Sequence, residues 1–269
     1  MSEDPPVLIT REGPVVRAML NRPARRNAMN EALVDALDRL IATLREDASA
    51  RVLVLCGAGG HFCAGLDLTE VGAPESPEDK LRNQQARNAR TGARFTAISE
   101  LPQVVIAAVQ GSAFAGGLGF VACADIALAS ADARFCAPEV RRGLVPAQIL
   151  PWLVRRMGRS EATRLVLQGQ VMDAAQAARV GLVHQALPDA AALEAELARI
   201  IADILEGAPG ALAETKALLS ALGPVATAEY AAAGAESFAR RAASEEAAEG
   251  IASFKERRKA RWAGGLPPA

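Results

Sequence analysis

The chain has 269 residues, with 30 Lys+Arg against 31 Asp+Glu and a formal net charge of −1. So nearly neutral a surface holds no polyanion, and 4% aromatic content leaves few platforms for stacked bases, which excludes nucleic-acid binding as the main task. Hydrophobic residues at 51% and charged residues at 23% describe a folding chain, long enough to bury about 70–75% of its unfolded surface without disulfides or metal.

Strand and helix signals alternate from the start. VLIT and VVRAML flank the turn Arg11-Glu12-Gly13-Pro14 and read as a hairpin. Asn30 caps a helix whose Leu33, Leu37, Leu40, Ile41 and Leu44 fall at helical spacing. VLVLCG (52–57) is a continuous apolar strand of the kind covered on both faces, and it runs into a glycine loop. Residues 72–90 read as a polar loop leading into a helix. From Leu101 to Ala124 no charged residue occurs, but Pro102, Gln103, Gln110 and several glycines interrupt the stretch. It reads as a buried strand, a glycine turn and a buried helix, and not as a membrane span. DIALAS and ARFCAP are short strands, after which the chain is nearly all helical. Ser160 and Asp173 are expected N-caps, and Gly169 and Gly181 expected terminators. The alanine-rich segment 189–262 supplies three more helices, broken near 207–210 and at Gly223-Pro224. The expected organisation is an α/β core over residues 1–190 and a helical C-terminal region over 191–269.

Cys56, Cys63, Cys123 and Cys136 form no CxxC pair, and with only His61 and His184 beside them they match no zinc spacing. They read as free buried thiols of a reducing compartment. The opening MSEDPPVLIT is acidic and lacks an apolar core, so no secretory leader and a cytoplasmic location are expected. Nucleotide motifs fail: GAGGHF (57–62) has Phe62 where a third glycine is required, and no GxxxxGK[ST] occurs. A Ser/His/Asp triad lacks its G-x-S-x-G elbow.

Two other segments gain meaning as a pair. FCAGLDL (62–68) follows the strand 52–56, and GSAFAGGLG (111–119) follows the strand 104–109. Each places small residues just after a buried strand, where backbone can approach a ligand closely. Gly116-Gly117 stands at a helix start, whose free N–H groups suit developing negative charge.

NRPARRNAMN (21–30), HFCAGLDL (61–68), VQGSAFAGGLGFVACADIALAS (109–130) and ARFCAPEVRRGLVP (133–146) resemble successive signatures of the crotonase superfamily, the enoyl-CoA hydratase/isomerase family. Residues 160–187 and EGIASFKERRKARW (249–262) resemble its later segments in order. The resemblance implies a crotonase-like spiral of ββα units with a helical C-terminal region, a homotrimer or homohexamer, and an acyl-CoA thioester substrate. No metal, redox cofactor, nucleic acid or membrane partner is implied.

Carried over residue by residue, the resemblance puts two oxyanion donors on the backbone N–H groups of Leu66 and Gly116. The main chain through Ala64, Gly65, Leu66, Asp67 and Leu68 would hold the adenine and pantetheine side of CoA, with Ala28 and Gly117 beside it. Arg25 and Arg26 are candidate phosphate contacts, and Arg257 matches a basic position reaching CoA from the C-terminal helix, within or between subunits. For these arginines a solvated charged face is the competing reading, and for Asp67 loop shaping. Family hydratases carry two glutamates, and here Glu139 matches one while Gly119 stands at the other position.

A single glutamate suits a 3-enoyl to 2-enoyl-CoA isomerase, which removes a proton at C2 and returns it at C4. The segment AFAGGLGFVACADIALASADARFCAPEVRRGLVPAQILPWLVRR, however, resembles bacterial hydratases of branched, carboxylated enoyl-CoA such as 3-methylglutaconyl- and isohexenylglutaconyl-CoA. On that reading Gly119 widens the pocket near C3, and Arg141 or Arg142 meets a substrate carboxylate or faces solvent. Phe95, Gln148 and Trp152 are pocket-lining or core candidates. Hydratase is the expectation, with isomerase second and a non-catalytic CoA-binding or scaffold protein as the alternative of another class.

Overall fold

The hairpin opens the fold: β1 (Val7–Glu12) and β2 (Val15–Leu20) pair antiparallel across Gly13-Pro14. The structure is a computed structural model that describes residues 4–67, 76–222 and 244–262. β2 then pairs in parallel with β3 (Val52–Gly57), which pairs with β4 (Val104–Val109). A three-residue strand, β5 (Ser112–Phe114), leaves this sheet, and β6 (Ile126–Ser130) returns beside β4. β5 pairs with β7 (Arg134–Cys136), and β7 with β8 (Met172–Asp173), to make a second small sheet. β9 (Gln185–Leu187) closes the six-stranded sheet, whose order is β1-β2-β3-β4-β6-β9.

Alternation along the parallel strands assigns the two faces. Val52, Val54 and Cys56 of β3, with Ile106 and Ala108 of β4, pack under α6 (Ala190–Leu205) through Leu193, Leu197, Ile201 and Leu205. Leu53 and Leu55, with Val105, Ala107 and Val109, face the larger core. That core includes α1 (Glu31–Glu46), capped by the Asn30 side chain, which accepts from the Leu33 N–H. It also takes in α2 (Pro77–Ser99), α3 (Gly116–Cys123) and α4 (Leu150–Gln168). Strands covered on both faces are apolar throughout, which is why their sequence shows runs and not alternation.

The uncharged stretch 101–124 contains the expected strand β4 and helix α3, with the short strand β5 where a glycine turn was expected. Among the described residues no helix is long and apolar enough to cross a membrane. Asp173 caps α5 (Ala174–Arg179) and Gly169 ends α4 in the left-handed conformation, as expected. The Ser160 cap does not form, because the break in α4 falls two residues earlier at Gly158, with φ 76° and ψ 160°. The last helices are α7 (Pro209–Ala221) and α8 (Glu245–Glu256); the predicted break at Gly223-Pro224 lies outside the described residues. The strands β5, β8 and β9 escaped the sequence reading because two or three residues carry no period.

Candidate active site

The loop after β3 is held from beneath by Asn27, which is fully buried. Its Nδ2 donates to the Ala58 carbonyl at 2.9 Å and the His61 carbonyl at 2.6 Å, while its Oδ1 accepts from the Arg22 N–H at 2.8 Å. The Met29 N–H donates to the Gly65 carbonyl and the Asp67 N–H to the Met29 carbonyl, so Leu66 sits in a one-rung bridge opposite Met29. The Leu66 N–H itself has no acceptor among the described residues, and its side chain is 54% exposed. Gly65 makes this loop possible: its φ is +93°, and a Cβ there would lie 2.9 Å from Ala115 Cβ. Asp67 is buried and ion-paired with Arg22 at 2.9 Å, which braces the same loop.

The second loop is tied to the first. The Cys63 N–H donates to the Ser112 carbonyl and the Phe114 N–H to the Cys63 carbonyl. Ala115 then takes φ 50° and ψ −119°, a conformation alanine enters at a cost of about 1–3 kcal/mol. Its N–H donates to the Cys136 carbonyl at 2.9 Å, which holds the strained turn. Gly116 is therefore the first residue of α3, with an N–H that has no helical acceptor and the positive end of the helix behind it. Leu66 and Gly116 thus present two backbone donors from adjoining loops.

Glu139 stands on the turn that follows β7. Cys136, whose carbonyl holds Ala115, lies three residues before it, and Pro138 leads into the short turn Glu139–Arg142 that carries it. Its Oε2 is buried with no hydrogen-bond partner among the described residues. Burial pushes the carboxyl above its ordinary range, and a backbone hydrogen bond and the charge of Arg142 offset this only in part. A carboxyl oxygen that is buried and unpartnered, on a group raised above its ordinary range, is suited to proton transfer, and two backbone N–H groups without acceptors are suited to hold an anion.

The structure corrects the expectation that Gly119 opens the pocket. A Cβ at Gly119 would lie 2.3 Å from Phe95 Cζ and 2.8 Å from Ile149 Cγ2. The aromatic ring of α2 therefore fills this space, itself fully buried and edge-on to Phe120 at 5.3 Å. Arg141 is likewise committed elsewhere, its Nε donating to the Gln168 carbonyl and its stem lying on Gly169, while Arg142 is exposed. Gln148 sits on Gly92 and donates to Asn88, and Trp152 packs at the edge of the core.

The remaining candidates fall as follows. Arg25 and Arg26 are exposed on the turn after Pro23, with the Arg26 carbonyl accepting from the Ala64 N–H. Ala28 and Gly117 are buried beneath the two loops, and Leu68 lies outside the described residues. Arg257 is exposed just past α8 with φ 52°. The segment around it is tied to Glu206 and Arg51, through Trp262 Nε1 donating to the Glu206 carbonyl and Arg51 donating to the Trp262 carbonyl. Arg51 precedes β3 and Leu66 follows it, so this segment is anchored at the opposite end of the strand from Leu66 within the chain. Sequence reading missed Asn27 and Arg22 as braces; their only signal was membership of NRPARRNAMN, since the partners lie 31 to 45 residues on.

Comparison with known proteins places this fold in a family. Residues 10–265 match the family model described as enoyl-CoA hydratase/isomerase, and the chain belongs to that family. It is 32% identical over 253 residues to the 2,3-dehydroadipyl-CoA hydratase of Escherichia coli, covering 94% of this chain and 96% of that protein. Among solved structures it resembles an enoyl-CoA hydratase/isomerase from Marinobacter aquaeolei, with TM-score 0.89 and 36% identity over 96% of this chain and 99% of the other. Pseudomonas aeruginosa AtuE superposes with TM-score 0.89 and 38% identity, over 96% and 99% of the two chains.

Proposed function

We propose that this protein is an enoyl-CoA hydratase that adds water to a 2-enoyl-CoA, with a branched or carboxylated acyl group as the preferred class. The N–H groups of Leu66 and Gly116 receive the thioester oxygen. As water adds at C3, the electron pair of the double bond moves toward the carbonyl and forms an enolate at that oxygen. Glu139 takes the proton from the attacking water and delivers a proton to C2, so the thioester is restored with one water added. The single observation that carries this reading is the buried, unpartnered Oε2 of Glu139, three residues after Cys136, whose carbonyl accepts from the Ala115 N–H just before α3. Losing one oxyanion donor costs on the order of 3 kcal/mol in the barrier, and losing a positioned proton carrier about 10²–10⁴ in rate.

Ala64, Gly65, Asp67, Leu68, Ala28 and Gly117 would line the CoA side, with Arg25 and Arg26 on its phosphates. Arg257 would serve the site of a second copy in a homotrimer or homohexamer, because its own segment is anchored away from Leu66. The second reading is isomerisation of a 3-enoyl-CoA, favoured by Phe95 occupying the space at Gly119 where family hydratases place another acid. Mass and enoyl absorbance of the products from crotonyl-, 3-methylglutaconyl-, isohexenylglutaconyl- and 3-hexenoyl-CoA test both. A product heavier by one water, lost in Glu139→Gln, supports the hydratase. Conversion of 3-hexenoyl-CoA alone, at unchanged mass, overturns it in favour of the isomerase.

A further inference from the structure

α2 carries an arginine whose burial the mechanism above does not use. The Arg94 side chain is 3% exposed, and its Nε and Nη2 dock on the two carboxylate oxygens of Asp38 at 2.5 and 3.0 Å. Its Nη1 makes no hydrogen bond among the described residues. Arg94 borders a cavity of about 270 Å³ that Leu66 and Met29 also line. Met29 also abuts the start of α3, where a Cβ on Gly116 would lie 2.4 Å from its Cε. The cavity therefore reaches Leu66, one of the two donors, with Met29 between it and Gly116, and α2 lines it through Arg87, Arg90 and Arg94. Its volume equals roughly nine water molecules at about 30 Å³ each, room for a short chain and a polar end group.

The charges around the cavity are largely paired, which leaves the free arm of Arg94 as the donor available to an anion. Among the described residues that line the cavity, Arg87 and Arg90 pair with Glu31 at 3.8 and 3.2 Å, Arg90 also pairs with Asp35 at 2.5 Å, and Asp67 is matched by Arg22. Asp38 lies behind the wall and is shared, because Arg90 pairs with it at 2.8 Å as well. A buried guanidinium fixed on one edge and free on the other is a preorganised donor, and a charge-assisted bond to a carboxylate is the strongest contact it can add.

We propose that Arg94 is a specificity-determining residue that receives, through Nη1, a carboxylate at the far end of the substrate's acyl chain. This rests on the acyl-CoA reading above and assigns to α2 the recognition that Arg141 and Arg142 do not supply. The phosphates of CoA are the other source of anionic oxygen, and the test separates the two.

Calorimetry with two unreactive saturated thioesters, six-carbon acyl-CoAs ending in a methyl group or in a carboxylate, reads the contact without turnover. The wild type binds the carboxylate form about 10- to 100-fold more tightly. In the charge-balanced Arg94→Met/Asp38→Asn pair that preference disappears, while the methyl form binds within about 3-fold of wild type. Arg94→Lys, which keeps a cation against Asp38 but loses the second arm, removes most of the preference even if the double variant fails to fold. A wild type without preference overturns the proposal, and so does an equal weakening of both thioesters, the signature of a phosphate contact or a merely structural role. If neither thioester binds the wild type, the acyl-CoA reading itself fails.

Discussion

Placing a glutamate at position 119 is the sharpest test of how the core shapes this site. The Cβ alone would stand 2.3 Å from Phe95 Cζ, 2.7 Å from Phe95 Cε2 and 2.8 Å from Ile149 Cγ2. Carbon atoms rest about 3.5–4.0 Å apart, so the ring must move by more than about 1 Å in a fully buried environment. Overpacking of one methyl costs about 1–3 kcal/mol, more than the roughly 1 kcal/mol an alanine gains over glycine inside a helix. Gly119→Ala is therefore expected to be net destabilised, by up to about 2 kcal/mol. Gly119→Glu adds two further carbons and a carboxyl with no nearby partner, which costs several kcal/mol more. Urea unfolding of wild type, Gly119→Ala, Gly119→Glu, Phe95→Ala and Phe95→Ala/Gly119→Glu measures these steps. The double variant should be more stable than the sum of the singles, because removing the ring makes the room the glutamate needs. A Gly119→Ala protein as stable as wild type, with additive effects in the cycle, would refute the packing argument. So would a well-folded Gly119→Glu that gains hydration of straight-chain substrates.

Glu139→Gln is expected to lose about 10²–10⁴ in turnover while CoA affinity stays within a few fold, and intact activity would remove Glu139 from the mechanism. The same variant should melt higher than wild type near pH 7. Its folded-state pKa is raised, so the carboxyl favours folding only when protonated, at pH below its unfolded pKa, and that contribution is lost as pH rises through the folded value. The advantage should shrink toward pH 4, and a constant offset across pH would contradict the burial argument. Asn27→Ala strands two carbonyls and one N–H beneath the first loop, so a loss of about 2–4 kcal/mol in urea unfolding and a fall of more than tenfold in kcat/KM are expected. Unchanged kcat/KM would show that Leu66 keeps its place without this brace. Burial pushes the thiols of Cys63 and Cys123 up to about 12. Neither should react with iodoacetamide in the native protein at pH 8, and rapid labelling detected by mass spectrometry would contradict their burial.

Much of this protein is legible in its residues because the features involved are local or periodic. The apolar runs of β3 and β4, the Asn30 cap and the heptad-like leucines of α1 each state their own environment. The loops around Leu66 and Gly116 were marked by small residues following buried strands, and Glu139 by its motif. What the tertiary structure alone decided depends on residues far apart in the chain. Whether a missing side chain leaves a hole depends on what packs against it, and Phe95, 24 positions before Gly119, answers that with a ring. Whether Glu139 is solvated or desolvated follows from the walls folded around it. Arg94 reads in sequence as one more charge on a polar helix, and only its placement on Asp38 beside the Leu66 cavity makes it a buried donor with a free arm. Periodicity reports which face of an element is covered; it carries no record of which partner covers it.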